Sequence, residues 1–153
     1  MDIFDWLTVL EWLAIMRIGL GLWWLESVRH KDIRDFMAGG SMGWVESLTE
    51  DHPFPAFANM IRRVSLSSPR RRRVTSILVV LGEFSVGVSL VLGFLTPVGL
   101  IVGFFLNLNY FLLAGLKGDY GEQGQNLMMM LMGVVLFATG AWETWALDEV
   151  IFG

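Results

Sequence analysis

Cysteine is absent from the 153 residues. The chain therefore forms no disulfide, offers no thiolate nucleophile and builds no cysteine metal site, and redox chemistry says nothing of its compartment. Histidine is scarce: His30 and His52 are the only two, and both fall in one polar connection. No histidine pair stands on apolar sequence to hold a transmembrane haem, so neither metal nor haem is expected in this chain. A phosphate-binding glycine loop, a metal motif of specific spacing and a serine–histidine arrangement are all missing. No basic n-region precedes the first apolar block, where Asp2 and Asp5 stand instead. That block is therefore expected to stay in the mature protein.

Charge is also sparse, at 17% of residues, against 54% hydrophobic. The apolar residues gather in blocks at 7–28, 74–95, 98–116 and 127–145. Each approaches the ~20 residues a helix needs to cross ~30 Å of hydrocarbon. So many blocks in so short a chain leave too little polar sequence to cover them in water. The reading is a single all-α transmembrane domain over 1–153, an integral-membrane four-helix bundle.

Lys and Arg are missing from both termini and from the turn near Thr96. Apart from Arg17, they lie between the first two blocks (Arg29, Lys31, Arg34, Arg62, Arg63 and Arg70 to Arg73) or just after the third (Lys117). Cytoplasmic loops retain such residues, so 30–73 and 117–125 are expected inside and both termini outside. Ser68-Pro69 reads as an N-cap with proline opening the second helix. Arg70, Arg71, Arg72 and Arg73 can then snorkel to anionic headgroups of the bilayer; a nucleic-acid patch is the weaker reading of this run. Thr96-Pro97 makes a tight hairpin, and Gly118 ends the third helix. Trp6, Trp12, Trp142 and Trp145 form an outer aromatic belt, with Trp23 and Trp24 near the inner face.

The inner loop, 30–68, is too long for a simple turn. Within it "AGGSMG" and "HPFPAF" read as breaks, and Phe57, Met60, Ile61 and Val64 fall at helical spacing, which predicts one short interfacial helix. Its role is either to cap the bundle or to shape a pocket entrance, the cap being favoured. Close packing is expected where small residues recur, at Ser85, Ser89 and Gly93, at Gly99 and Gly103, and at Gly133 and Gly140. The run Met128, Met129, Met130 and Met132 suits adaptable packing.

Arg17 and Glu83 sit deep inside their blocks, away from the ends. Such groups usually face the bundle interior and pair. At ~1.5 Å per residue Arg17 falls ~15 Å and Glu83 ~18 Å below the outer ends of their helices, which predicts an Arg17–Glu83 ion pair. The pair either fixes the register of two helices or forms a buried polar site that handles a proton or a polar headgroup. Asn107 and Tyr110, three apart, are candidates to join it, while Asn109 points away. Asp119, Tyr120, Glu122, Gln125 and Asn126 read as a solvated loop and helix cap.

The segments "MRIGLGLWWLESVRHK", "LGEFSVGVSLVLGFLTPVGLIVGFFLNLNYFLLAG" and "GEQGQNLMMMLMGVVLFATGAWETWALD" resemble successive parts of the DoxX/DoxD superfamily of small four-helix membrane proteins. That superfamily includes the larger subunit of an archaeal thiosulfate:quinone oxidoreductase. The resemblance implies a prokaryotic cell-membrane subunit linked to quinone-dependent redox chemistry, with quinone reached from the bilayer and a larger membrane redox protein or a second copy as partner. On it, Glu83 and Arg17 are the candidate catalytic residues, and Arg17, Glu83, Asn107, Tyr110 and Glu122 the candidate quinone-binding ones. The alternative is a non-catalytic accessory or assembly subunit packing beside larger membrane proteins.

Overall fold

The structure is a computed structural model that describes residues 7–152, apart from the side chain of Phe152. Asp2, Asp5 and Trp6 lie outside the described residues. Among those described there is helix and turn but no strand. Four long helices form the body: α1 (Val9–Arg29), α5 (Pro69–Leu92), α6 (Thr96–Tyr110, prolonged by a π-helical turn at Phe111–Gly115) and α7 (Tyr120–Thr139). Three short helices, α2 (Ile33–Ala38), α3 (Met42–Thr49) and α4 (Pro55–Ile61), occupy the long connection, and α8 (Leu147–Phe152) closes the chain.

Local chemistry sets these limits. Thr8 and Glu11 form a reciprocal capping box at the start of α1, which satisfies two otherwise orphaned backbone donors. Ser68 caps α5 and Pro69 opens it, as the sequence predicts. The break expected in "AGGSMG" is present: Gly39, at φ +100°, ends α2 before α3 begins. The single short helix expected in this connection is present as α4, which Pro55 opens, but two more precede it: α2, capped by Asp32, and α3. On α4 Phe57 is buried and Met60 exposed, and Val64, on the π-helical turn Arg62–Leu66 that follows, is exposed as well.

The fourth helix differs most from expectation. It runs from Tyr120 to Thr139 rather than over 127–145. Asp119 caps it, its Oδ1 accepting from the Glu122 amide at 3.0 Å. Glu122, Gln125 and Asn126 are therefore helical, not part of a solvated loop. At the other end Gly140, at φ +68°, stops the helix, and the turn that follows has a separate use.

Helix α1 lies antiparallel against α5 through backbone contact. A Cβ on Gly21 would sit 2.8 Å from the Val91 nitrogen and 2.9 Å from the Gly87 oxygen. Between helices in lipid, such close approach supplies much of the packing energy. Across α5 and α6, Gly99 and Gly103 meet the side chains of Ser89 and Val86. Ser85 is exposed and Gly133 has nothing near its missing Cβ, so the expected small-residue stripes are only partly used. Leu20, Trp24, Val86, Leu90, Leu100, Met129 and Leu136 fill the core. Trp24 is thus a core residue rather than an interfacial anchor, whereas Trp23 is 52% exposed.

The bundle wears an apolar coat. Leu78, Leu81 and Phe84 on α5, Ile101 and Phe105 on α6, and Met128, Leu131, Val134 and Phe137 on α7 are all exposed. Contiguous apolar surface of this extent is rare on soluble monomers. Helices α5 and α6 are each long and apolar enough to cross a membrane. We call the end carrying α2 to α4 the loop end, and the end carrying the α5–α6 turn and α8 the turn end.

Candidate functional site

The expected Arg17–Glu83 ion pair does not form. Arg17, fully buried, donates from Nη1 to the carbonyls of Trp142 (2.7 Å) and Thr144 (3.0 Å) and from Nη2 to that of Trp145 (2.9 Å). Its guanidinium lies beside Gly93 at the turn end, 3.2 Å from where a Cβ would be. Glu83 is ten residues earlier on the same helix (93 minus 83), roughly 15 Å away at ~1.5 Å per residue. The Gly21–Gly87 contact fixes the register of α1 on α5, and α1 extends well beyond the α5–α6 turn. Counting depth from the two helix ends therefore misaligned the charges.

Arg17 instead holds the chain reversal after α7. The backbone carbonyls of this turn lie beyond the helix and lack its hydrogen bonds, and the guanidinium supplies the donors they need. Asp148 completes the clamp: its Oδ1 accepts from the Leu95 amide at 3.0 Å, and its own amide donates to the Gly93 carbonyl at 3.1 Å. Gly93 is at φ +66°, and a Cβ on it would lie 2.5 Å from the Ala146 Cα. Only glycine fits that turn.

Glu83 is buried at the loop end, where it meets a different partner. Lys31 Nζ lies 2.5 Å from Oε2, and the Tyr110 hydroxyl donates to Oε1 at 2.6 Å. Lys31 also donates to the Ser27 Oγ at 3.0 Å and stands 5.5 Å from the centre of the Phe36 ring. Sequence reasoning left Lys31 as one topology charge among several. The available signal was its place one turn past Ser27, within reach of an acid inside the next helix.

These groups wall a cavity of about 230 Å³. Glu83, Asn107 and Tyr110 line it from α5 and α6, Glu122, Gln125 and Asn126 from α7, and Trp23, Trp24 and Ser27 from α1. Ser41, Met42, Trp44 and Val45 close it from the connection. The pocket-shaping role thus falls to Phe36 of α2 and to α3 with its N-terminal flank; α4 does not line the cavity. The structure therefore gathers Glu83, Asn107, Tyr110 and Glu122 and excludes Arg17.

The cavity walls are not self-sufficient. Asn107, 3% exposed, has no hydrogen-bond partner for Oδ1, and Ser41 Oγ is likewise buried and unpartnered. Buried polar atoms are normally satisfied, and each that is not costs about 1–3 kcal/mol. Glu122 is occupied by Asn126, whose Nδ2 donates to its Oε2 at 2.8 Å. The π-helical turn Phe111–Gly115 begins directly after Tyr110, and Leu113 and Ala114 from it also face the cavity. Such turns often mark functional sites. His52 Nε2 lies 2.8 Å from the Leu112 carbonyl in this turn, tying the connection to it. Among the described residues no group of His, Asp and Glu is arranged to hold a metal ion.

Fold and site together define an all-helical membrane-type bundle with a buried, ionisable cavity near one end. Residues 12–152 match the family described as the TQO small subunit DoxD, and the chain belongs to that family. TQO is thiosulfate:quinone oxidoreductase; the description names its small subunit, where the sequence resemblance had pointed to the larger. No curated protein and no solved structure gives a significant match.

Proposed function

We propose that the chain is the quinone-site subunit of a membrane redox complex, and that the cavity at Glu83 receives the quinone ring. The observation that carries this reading is a buried carboxylate, held by Lys31 and Tyr110, beside a cavity whose Asn107 and Ser41 oxygens have no partner. Intramembrane ionisable residues mark substrate or proton pathways by default. The fit is chemical: a mostly apolar chamber with a few converging polar groups suits a ring with two oxygens.

Reduction of a quinone consumes two electrons and two protons, the electrons coming from a partner subunit. Glu83 holds or releases a proton at Oε1, where the Tyr110 hydroxyl links it to the chamber. Lys31 offsets the carboxylate charge and keeps it oriented. The Ser41 hydroxyl donates to a quinone carbonyl, and Asn107 Oδ1 accepts from the ring hydroxyl that forms on reduction. Arg17 serves the site indirectly, by locking the turn end of the same helices.

In this reading all four long helices cross a prokaryotic cell membrane, with the loop end in the cytoplasm and the termini outside. Arg72 is engaged by Glu46 at 2.9 Å, whereas Arg70 and Arg73 are exposed and available for anionic headgroups. Because the chain has no cysteine, single introduced cysteines at Arg70 and at Glu143 give a clean accessibility test of that topology.

The deciding experiment is Glu83→Gln in the native complex. Thiosulfate-dependent quinone reduction is expected to fall by roughly 10²-fold, the low end of general acid–base contributions, with the complex intact. Full activity in that variant removes the proton-handling role. The exposed apolar coat favours the second reading, an accessory subunit seated against a larger membrane protein. That reading expects Glu83 variants to weaken assembly and leave turnover per assembled complex unchanged.

A further inference from the structure

We propose that the groove between α6 and α7 holds the isoprenoid tail of the molecule whose ring occupies the Glu83 cavity, an inference that rests on the quinone reading above. The groove has a volume of about 200 Å³, and Ile101, Phe105, Val134 and Phe137 form its outer rim. All four are about half exposed. No polar side chain lines it, so it suits hydrocarbon and offers nothing to a headgroup.

Continuity with the cavity selects the occupant. A small space of about 10 Å³ lies between the two and shares walls with each. Trp24, Asn107 and Met129 are shared between this gap and the Glu83 cavity; Leu100, Phe104 and Gly133 are shared between the gap and the groove. The unpartnered Asn107 oxygen, on the cavity side, marks where the polar part of a ligand ends. Of the glycines that line the gap, Gly133 leaves open space, whereas Gly99 and Gly103 are packed against Ser89 and Val86. Met129, unbranched and flexible, is the side chain that moves to widen the gap.

Gly133 supplies an independent sign. It is buried, yet nothing lies within 4 Å of where its Cβ would be. Protein interiors are packed closely, so a buried glycine facing empty space is unusual. A chain-like apolar ligand fills that space. Neither a bilayer acyl chain nor a second copy of the protein would couple the groove to the polar cavity.

The test uses the full chain in nanodiscs and measures binding of two quinones, one carrying an isoprenoid tail and one with a methyl group in its place. Gly133→Leu projects into open space and leaves the backbone contacts intact. It is expected to weaken the tailed quinone roughly fivefold, an effect typical of lost tail packing, and to leave the methyl analogue unchanged; Gly133→Ala lies between. If Gly133→Leu leaves both affinities unchanged, or weakens both equally, the tail assignment is overturned while the ring site at Glu83 stands. If the wild type binds neither quinone, the ring site fails and the tail assignment with it.

Discussion

The two buried charges of this bundle sit at opposite ends and are treated in opposite ways. At the turn end, the terminal nitrogens of Arg17 are consumed by three backbone carbonyls, and only Nε lacks a partner. At the loop end, Glu83 is paired, but it faces a cavity in which neighbouring oxygens are left unsatisfied. The first arrangement leaves Nε and, at the same end, Thr96 Oγ1 unpartnered, but among the described residues Arg17 lines no cavity that a ligand could enter. The second has capacity left over. Burial of a charge alone therefore says little about function, and the state of the atoms around it says more.

The largest expected effect tests that contrast directly. Arg17→Leu removes the cation and strands the carbonyls of Trp142, Thr144 and Trp145. We expect a loss of about 3–5 kcal/mol, the range for breaking a buried charged network, seen as a large fall in thermal midpoint in detergent. Arg17→Lys should recover little, because an ammonium cannot reproduce the guanidinium fork. Glu83→Gln, in contrast, keeps a hydrogen bond with Tyr110 and should cost no more than about 1 kcal/mol. If the two variants lose equal stability, the distinction between the ends collapses.

A smaller effect concerns Lys31. Its side chain is 20% exposed while that of Glu83 is 2% exposed, so the pair is screened mainly on one side. Lys31→Met alone leaves an uncompensated acid in an apolar wall, and Lys31→Met with Glu83→Gln removes the conflict. A double-mutant cycle should give a coupling of about 1–3 kcal/mol, in the range for contacting residues. A coupling near zero would show that Lys31 is no more than a surface charge, as its place in the sequence first implies.

Much of the frame was legible before the structure. Four apolar stretches, the Ser68-Pro69 start, the turn at Thr96-Pro97 and the candidates Glu83, Asn107 and Tyr110 follow from residue type and spacing, while Glu122 came from the family resemblance. What was not legible was relative register. Depth counted from helix ends assumes level ends, and here Gly21 against Gly87 sets a different alignment. Hydropathy likewise misplaced the fourth helix, because the polar face from Glu122 to Asn126 turns inward to the cavity. Lys31 was hidden because a lysine next to a membrane span ordinarily reports topology, and no spacing rule links it to an acid 52 positions away.

The smallest expected effects compare two glycines that sequence alone does not distinguish. Both Gly21 and Gly133 lie within long helices, so alanine at either site gains up to about 1 kcal/mol of helix propensity. At Gly21 the added methyl meets the backbone of α5 under 3 Å. Backbone cannot swing aside as a side chain can, and overpacking of this kind typically costs about 1–3 kcal/mol. Net destabilisation is expected there. At Gly133 the methyl enters open space, so the propensity gain survives and the variant should be as stable as the parent or slightly more so. Thermal midpoints of the two variants, measured side by side, check the sign at each site. A stable Gly21→Ala would release the register that holds Arg17 and Glu83 apart. A destabilised Gly133→Ala would mean that the space beside α7 is closed in the working protein, and that the cavity at the loop end has no outlet between α6 and α7.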